Sequence, residues 1–213
     1  MRLSVNETAT VALKACRGCQ LSEGLAEDAA RAVAWTSERG LPGLQWLAHA
    51  LGEEAASAQP RSFQEEDGSW RVTHAKVLIH TPSAVDLLLA GAPKVTLEEV
   101  RNSELVLGFA GRAAEDFGIA IELIWSGAGT TSVTKDGVGD QSILGELADA
   151  SKYTVQLRRV DATPEVAPLT RLPGVEIPEI LYMDLNTLGA RTYVEATEAS
   201  RRLGAGAGLV DTD

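Results

Sequence analysis

The densest collection of reactive side chains lies at the end of the chain, where residues 191–213 read RTYVEATEASRRLGAGAGLVDTD. Arg191 and Arg201 carry planar guanidinium forks that match a carboxylate bidentately, and Ser200 adds a hydroxyl beside them. Tyr193, Glu195 and Glu198 could pass protons once burial moves their pKa values. Gly204, Gly206 and Gly208 lack a Cβ, so a ligand or a second backbone could come close. Asp211 and Asp213 form a D-x-D that offers oxygen ligands to a hard cation such as magnesium. Together these residues describe a site for a small carboxylate or amino-acid metabolite. The plain alternative is an acidic terminus behind a flexible glycine run.

Other constellations are weaker. Cys16-Arg17-Gly18-Cys19 is a C-x-x-C, but it falls where a helix is expected to end. There the helix dipole raises a thiol pKa, the reverse of what a redox site needs. His74 and His80 would share a face of a straight strand and could join nearby acids at a metal, although a half-exposed strand histidine is the commoner case. Ser126-Gly127-Ala128-Gly129-Thr130-Thr131 has the glycines of a phosphate loop. The β-prone Thr131-Ser132-Val133-Thr134 that follows points instead to a hairpin. No H-E-x-x-H, G-x-S-x-G or Walker loop is present.

Composition narrows the classes. The 213 residues are 45% hydrophobic and 23% charged, the balance of a globular chain. Thirty acidic against 19 basic residues leave a net charge of -11, without the basic face that nucleic acid requires. An anionic membrane surface is disfavoured for the same reason. No apolar run approaches the roughly 18 residues of a membrane span. The first residues, MRLSVNE, lack a secretory h-region, and two cysteines are too few for a disulfide scaffold. The cytoplasm is the expected compartment.

The elements that must position these residues begin with three helices. Ser4 and Glu7 make a capping box, Val11, Ala12 and Ala15 follow at helical spacing, and Gly18 closes the first helix. The second runs from Ser22 to Gly40 and the third covers Leu44 to Leu51. A polar loop spans Gln59 to Ser69. Strands are expected at Arg71–Ile79, Lys94–Leu97, Ile119–Trp125, Thr130–Thr134 and Tyr153–Val160. Helices are expected at Ser83–Ala90 and Leu105–Phe117. Asp161 to Glu179 carries four prolines and reads as an extended connection, and from Ile180 short apolar pieces alternate with glycine. The fold class is mixed α/β: a helical unit at 1–57 followed by a mixed-sheet α/β body at 70–213, most simply one continuous domain.

The start RLSVNE, the segment GLAEDAARAVAW with RGLPG, and the ending of the chain resemble a family of short proteobacterial proteins known as a domain of unknown function. That resemblance implies no particular activity, but it implies that the C-terminal stretch is ordered. The N-terminal helices alone are similar to the opening of the type-2 malate/lactate dehydrogenases. In that family the corresponding turn reads R-G-x-x-S-H-G, and its histidine is catalytic. Arg39-Gly40-Leu41-Pro42-Gly43 has no histidine. The resemblance therefore does not carry hydride transfer with it, and a nicotinamide has no independent support.

Two functions follow. One is an enzyme, or enzyme subunit, acting on a small carboxylate or amino-acid metabolite, with Arg191 and Arg201 holding the acid and Tyr193, Glu195 and Glu198 moving protons. The other is a metabolite-sensing or partner-binding module, whose Ala- and Leu-rich helices could bury a face against a second copy or a partner subunit. No cofactor is identified.

Overall fold

The computed structural model describes residues 1–54, 62–147, 152–161, 164–168 and 170–192. Strand β1 (Arg2–Ser4) leads into helices α1 (Val5–Gly18), α2 (Glu23–Glu38) and α3 (Gly43–Glu54). Strands β2 (Gln64–Glu66) and β3 (Ser69–Val72) form a hairpin, followed by α4 (Val77–Leu89), β4 (Val95–Val100) and α5 (Leu105–Phe117). Then come β5 (Ala120–Trp125), β6 (Gly129–Val133), β7 (Gly137–Val138), α6 (Ile143–Glu146) and β8 (Tyr153–Val160). The end holds β9 (Ala167–Pro168), β10 (Gly174–Glu176) and α7 (Glu179–Ala190). This is the expected mixed α/β class, and no described helix is long and apolar enough to cross a membrane.

Among the described residues eight strands form one sheet in the order β2-β3-β4-β8-β5-β6-β7-β9, in which only β3 and β4 run parallel. Alternation sorts its side chains. Ile121, Leu123, Trp125, Val155, Leu157, Val95 and Leu97 are buried on one face, beneath α4 and α5. Glu122, Ile124, Gln156 and Arg158 fall on the other, where Arg158 pairs with Glu122 across strands. A second helical layer, built on α2, covers α5, and α1 and α3 flank it. The chain then closes on itself. β10 pairs antiparallel with β1, and α7 packs on α1.

Three expectations need correction. Arg71–Ile79 is not one strand: β3 ends at Val72, His74 takes a left-handed φ of 54°, and α4 begins at Val77. A short apolar run such as Val77-Leu78-Ile79 suits either period, and the turn at His74 decides it. Pro82 accordingly lies inside α4 rather than ahead of it. The polar loop is partly a hairpin, because Asp67 (φ 51°) and Gly68 (φ 73°) make a tight turn that pairs β2 with β3. The end of the chain, read as short apolar pieces, contains the helix α7, with Leu181, Leu185 and Leu188 turned inward at helical spacing.

The N-terminal helices agree more closely with their residues. Ser4 Oγ accepts the Glu7 amide at 3.2 Å, and the Glu7 carboxylate accepts the Ser4 amide at 2.8 Å. Gly18, however, is no left-handed cap. A Cβ there would overlap the Leu188 carbonyl, so Gly18 is what lets α7 lie against α1. Cys16 is buried in α1, and burial pushes the Cys19 thiol up, which fits a structural pair better than a redox pair.

Glycine has the same use at the centre of the molecule. A Cβ on Gly108 would lie 2.8 Å from the Ala32 carbonyl oxygen, and one on Gly111 would overlap the Trp35 indole. Gly111→Ala is therefore expected to destabilise the chain by about 1–3 kcal/mol, despite alanine's better helix propensity. Gly52→Ala in α3, where a Cβ meets nothing within 4 Å, should stabilise it by about 0.5–1 kcal/mol. Urea unfolding of both variants measures this, and two shifts of the same sign would refute the close-approach account.

Candidate functional site

The turn between α2 and α3 explains its own sequence. Gly40, at φ 76°, ends α2 in the left-handed conformation, with its amide on Ser37 O at 3.0 Å and the Leu41 amide on Thr36 O at 3.0 Å. This is the Schellman pattern. Pro42 then opens α3. A Cβ on Gly43 would overlap Thr36 Oγ1, so glycine is needed for α3 to start against α2. Arg39, the C-cap, lies back over α2 with its guanidinium 4.1 Å from the centre of the Trp35 ring.

This turn forms one wall of a cavity of about 520 Å³, closed on the other side by β10 and the start of α7. The interior is apolar, with Leu41, Leu44, Val175, Ile177 and Leu181, and Leu172 at the mouth. Ser37 and Gln45 supply neutral polar groups. Among the described residues, Arg2 of β1 and Glu176 of β10 are its only charged lining residues. They are directly opposed across the antiparallel ribbon and thus share a face of it. A volume of this size falls within the range of small-molecule sites.

A ring of four charges holds the cavity walls together. The Arg39 guanidinium, 4% exposed, donates to Glu115 of α5 at 2.8 Å and to Glu38 at 3.2 Å. Arg171 donates to the other Glu115 oxygen at 2.6 Å and lies 3.7 Å from Glu38. The Leu172 amide then bonds the Glu38 carbonyl at 2.6 Å. Burial raises the Glu115 pKa, but the Arg171 hydrogen bond and the charges of Arg39 and Arg171 outweigh it and leave the carboxyl below its ordinary value. Burial pulls Arg39 down from its usual value, and a guanidinium tolerates this while staying charged.

Of the residues singled out at the C-terminus, only Arg191 is described. It caps α7, with its amide on Leu188 O at 3.1 Å, and its charge opposes the effect of burial on Cys19. Ten helical residues separate it from Leu181 in the cavity wall, roughly 15 Å of rise. Tyr193, Glu195, Glu198, Ser200, Arg201, Gly204, Gly206, Gly208, Asp211 and Asp213 lie outside the described residues.

The histidines do not meet. His74 Nδ1 is 2.9 Å from Glu99, which also takes Lys152 at 3.0 Å. His80 is buried in α4, where its Nδ1 accepts the Lys76 amide at 2.8 Å. Bending at His74 removes the shared strand face, and among the described residues no three metal-ligating side chains cluster. The glycines at 127 and 129 lie in the β5–β6 hairpin, as expected. Sequence reasoning missed Arg2, Glu176 and Leu172. Nothing local marks them, because their partners lie more than 130 residues away.

Glu115→Gln should cost about 1.5–3 kcal/mol at neutral pH, the worth of a hydrogen bond to a charged group. Because the folded carboxyl titrates below 4.5, its contribution is complete above that pH and lost as pH falls through the lowered value. The variant should therefore show a shallower loss of stability than the native chain as pH falls through the ordinary carboxylate range and below it. Parallel acid limbs in urea melts would mean that the ring contributes nothing.

Comparison with known proteins adds the following. No curated protein matches the chain. A dehydrogenase from Sinorhizobium meliloti superposes with a TM-score of 0.60 at 14% identity, over 89% of this chain and 99% of that one. At that identity the likeness is one of fold. Malate dehydrogenases from Pyrococcus horikoshii OT3 (TM-score 0.47) and Entamoeba histolytica (TM-score 0.48) are each 12% identical. These alignments take in 59% and 77% of this chain but only 40% and 50% of theirs. Residues 3–71, which hold α1 to α3 and reach into β3, match the family described as Protein of unknown function (DUF3726).

Proposed function

We propose that this chain binds a small carboxylate or amino-acid metabolite in the cavity beside the Arg39–Gly43 turn and acts on it as an enzyme or enzyme subunit. The observation that carries the reading is the cavity itself: about 520 Å³, apolar inside, with one cation, Arg2, at its edge. A dehydrogenase with the same fold agrees with a small-molecule role. In this reading the C-terminal stretch brings the chemistry. Tyr193, Glu195 and Glu198 move protons, Ser200 and Arg201 assist with the acid, Gly204, Gly206 and Gly208 allow close approach, and Asp211 and Asp213 take a divalent cation, while Arg191 stays at the far end of α7.

A nicotinamide dinucleotide finds little support in the described residues. The turns that follow the parallel strands β3 and β4, residues 73–76 and 101–104, contain no glycine. Glu104, buried, sits at the N-cap of α5, where a pyrophosphate would need a positive end. These turns do not fit the group, and hydride transfer is no part of the proposed chemistry. The same facts favour a second reading, binding without catalysis. The turn lacks the histidine of the resembling family, and among the described residues Glu176 is the only acid–base side chain in the cavity lining.

A thermal-shift screen of carboxylates, amino acids, nucleotides and divalent metals tests both. A ligand at ~100 Kd stabilises the chain by about 2.7 kcal/mol. The shift should vanish in Leu172→Trp, which fills the mouth. A hit indifferent to that substitution would remove the cavity from consideration. Ending the chain after Thr192 should abolish turnover of the bound compound if the C-terminal groups act on it. Full binding with no turnover by either chain would establish the sensor instead.

A further inference from the structure

We infer that the cavity takes an apolar monocarboxylate head first, with its carboxylate at the N-terminus of α3 on the Ser37 hydroxyl and the Leu44 amide. This deepens the proposed function and rests on the cavity being the binding site. Ser37, in the last turn of α2, lines the cavity and is only 2% exposed. Its neighbour Thr36 donates its hydroxyl to the Val33 carbonyl at 2.9 Å. The Ser37 hydroxyl, by contrast, has no hydrogen-bond partner among the described residues. That is a costly state for a buried donor, and a ligand in the cavity relieves it. The hydroxyl lies against the start of α3, since a Cβ on Gly43 would come 3.1 Å from the Ser37 oxygen.

The same end of α3 holds an open backbone donor. Pro42 has no amide hydrogen, and the Gly43 amide turns back to the Leu41 carbonyl at 2.8 Å. The Gln45 and Trp46 amides share the Pro42 carbonyl at 3.0 and 3.1 Å. The Leu44 amide, between them, has no partner among the described residues. Pro42, Gly43, Leu44 and Gln45 all line the cavity, so the positive end of a 12-residue helix opens on it. A free amide, a free hydroxyl and a helix N-terminus together recognise an anion. Side-chain cations take no part: Glu38 and Glu115 hold Arg39 and Arg171. The exposed Arg2 and Glu176 stand on the face of the ribbon opposite Leu3 and Val175. Beyond the anchor the ligand meets Leu41, Leu44, Ile177 and Leu181. A second carboxylate there would lose its water without compensation, whereas an apolar body gains by burial. An ammonium beside the first carboxylate would face the positive end of the helix. The ligand is thus an acid with an apolar body, neither an amino acid nor a dicarboxylate.

Isothermal titration calorimetry on the full chain decides the matter with 4-methylpentanoate, 3-phenylpropanoate, 4-methylpentanamide, L-leucine and succinate. The amide keeps the body and loses the charge, leucine adds an ammonium, and succinate adds a second carboxylate. Either apolar acid should bind at least about tenfold more tightly than the other three compounds. Ser37→Ala should weaken both acids about tenfold and the amide far less, because a hydrogen bond to a charged group is lost. Without ligand, the same variant should unfold in urea at the native midpoint or above it, since the hydroxyl it removes has no partner. A lowered midpoint would show that the hydroxyl serves the fold, and unchanged affinity for the acids would show that it serves nothing; either overturns the assignment. Equal affinity for acid and amide would overturn the anion anchor while leaving an apolar cavity. Binding by none of the five would overturn the inference, and a hit of another class blocked by Leu172→Trp would show that the cavity reading survives it.

Discussion

Trp35 touches two groups that fix its surroundings, Gly111 of α5 and Arg39. α5 comes so near the indole that a Cβ at Gly111 would overlap it, and the Arg39 guanidinium lies 4.1 Å from the ring centre. The first contact sets the distance between the α2 layer and the helices on the sheet. The second turns a buried cation toward Glu115 and Arg171, and so draws in the segment that carries Leu172. One side chain thereby couples the packing of the layers to the wall of the cavity. The arrangement has a cost, since the Trp35 Nε1 is buried without a partner among the described residues, and such a group typically forfeits about 1–3 kcal/mol. The apolar area of the indole and its contact with Arg39 act against that loss.

The same economy explains why the Arg-Gly-Leu-Pro-Gly turn resembles an enzyme motif without containing its histidine. Each residue has a local structural reason. Arg39 serves the ion ring, Gly40 the left-handed cap, Pro42 the opening of α3, and Gly43 the contact with Thr36. A turn that brings two helices together this closely leaves a recess beside it, and the β1–β10 ribbon roofs the recess. The cavity thus follows from the packing of helices, and its chemistry depends on which residues the ribbon brings to the edge.

How much of this could be read from residues varies with range. The helices α1 to α3 were readable because capping, periodicity and terminal glycines are local signals, and the capping box of Ser4 and Glu7 forms as its spacing implies. The strand at β8 and the hairpin of β5 and β6 were readable through alternation and turn chemistry. The stretch 71–79 was not, because a three-residue apolar run carries no period and a left-handed histidine is invisible to propensity. The cavity was not readable either. Arg2 and Glu176 are unremarkable until β1 and β10 are paired, and the C-terminal stretch drew attention by density of function alone.

What the chain determines by itself is its class: acidic, mixed α/β, with helices first and a sheet after, since composition, caps and periods act within a few turns of chain. Tertiary structure alone decided where the cavity lies and which charges border it. Those depend on contacts between segments up to 176 residues apart, made possible by glycines whose value lies in the space they leave for a distant neighbour. A residue's type records what it can do. Its partner, in a cavity closed by both ends of the described chain, is set only when hydrophobic burial has folded one end onto the other.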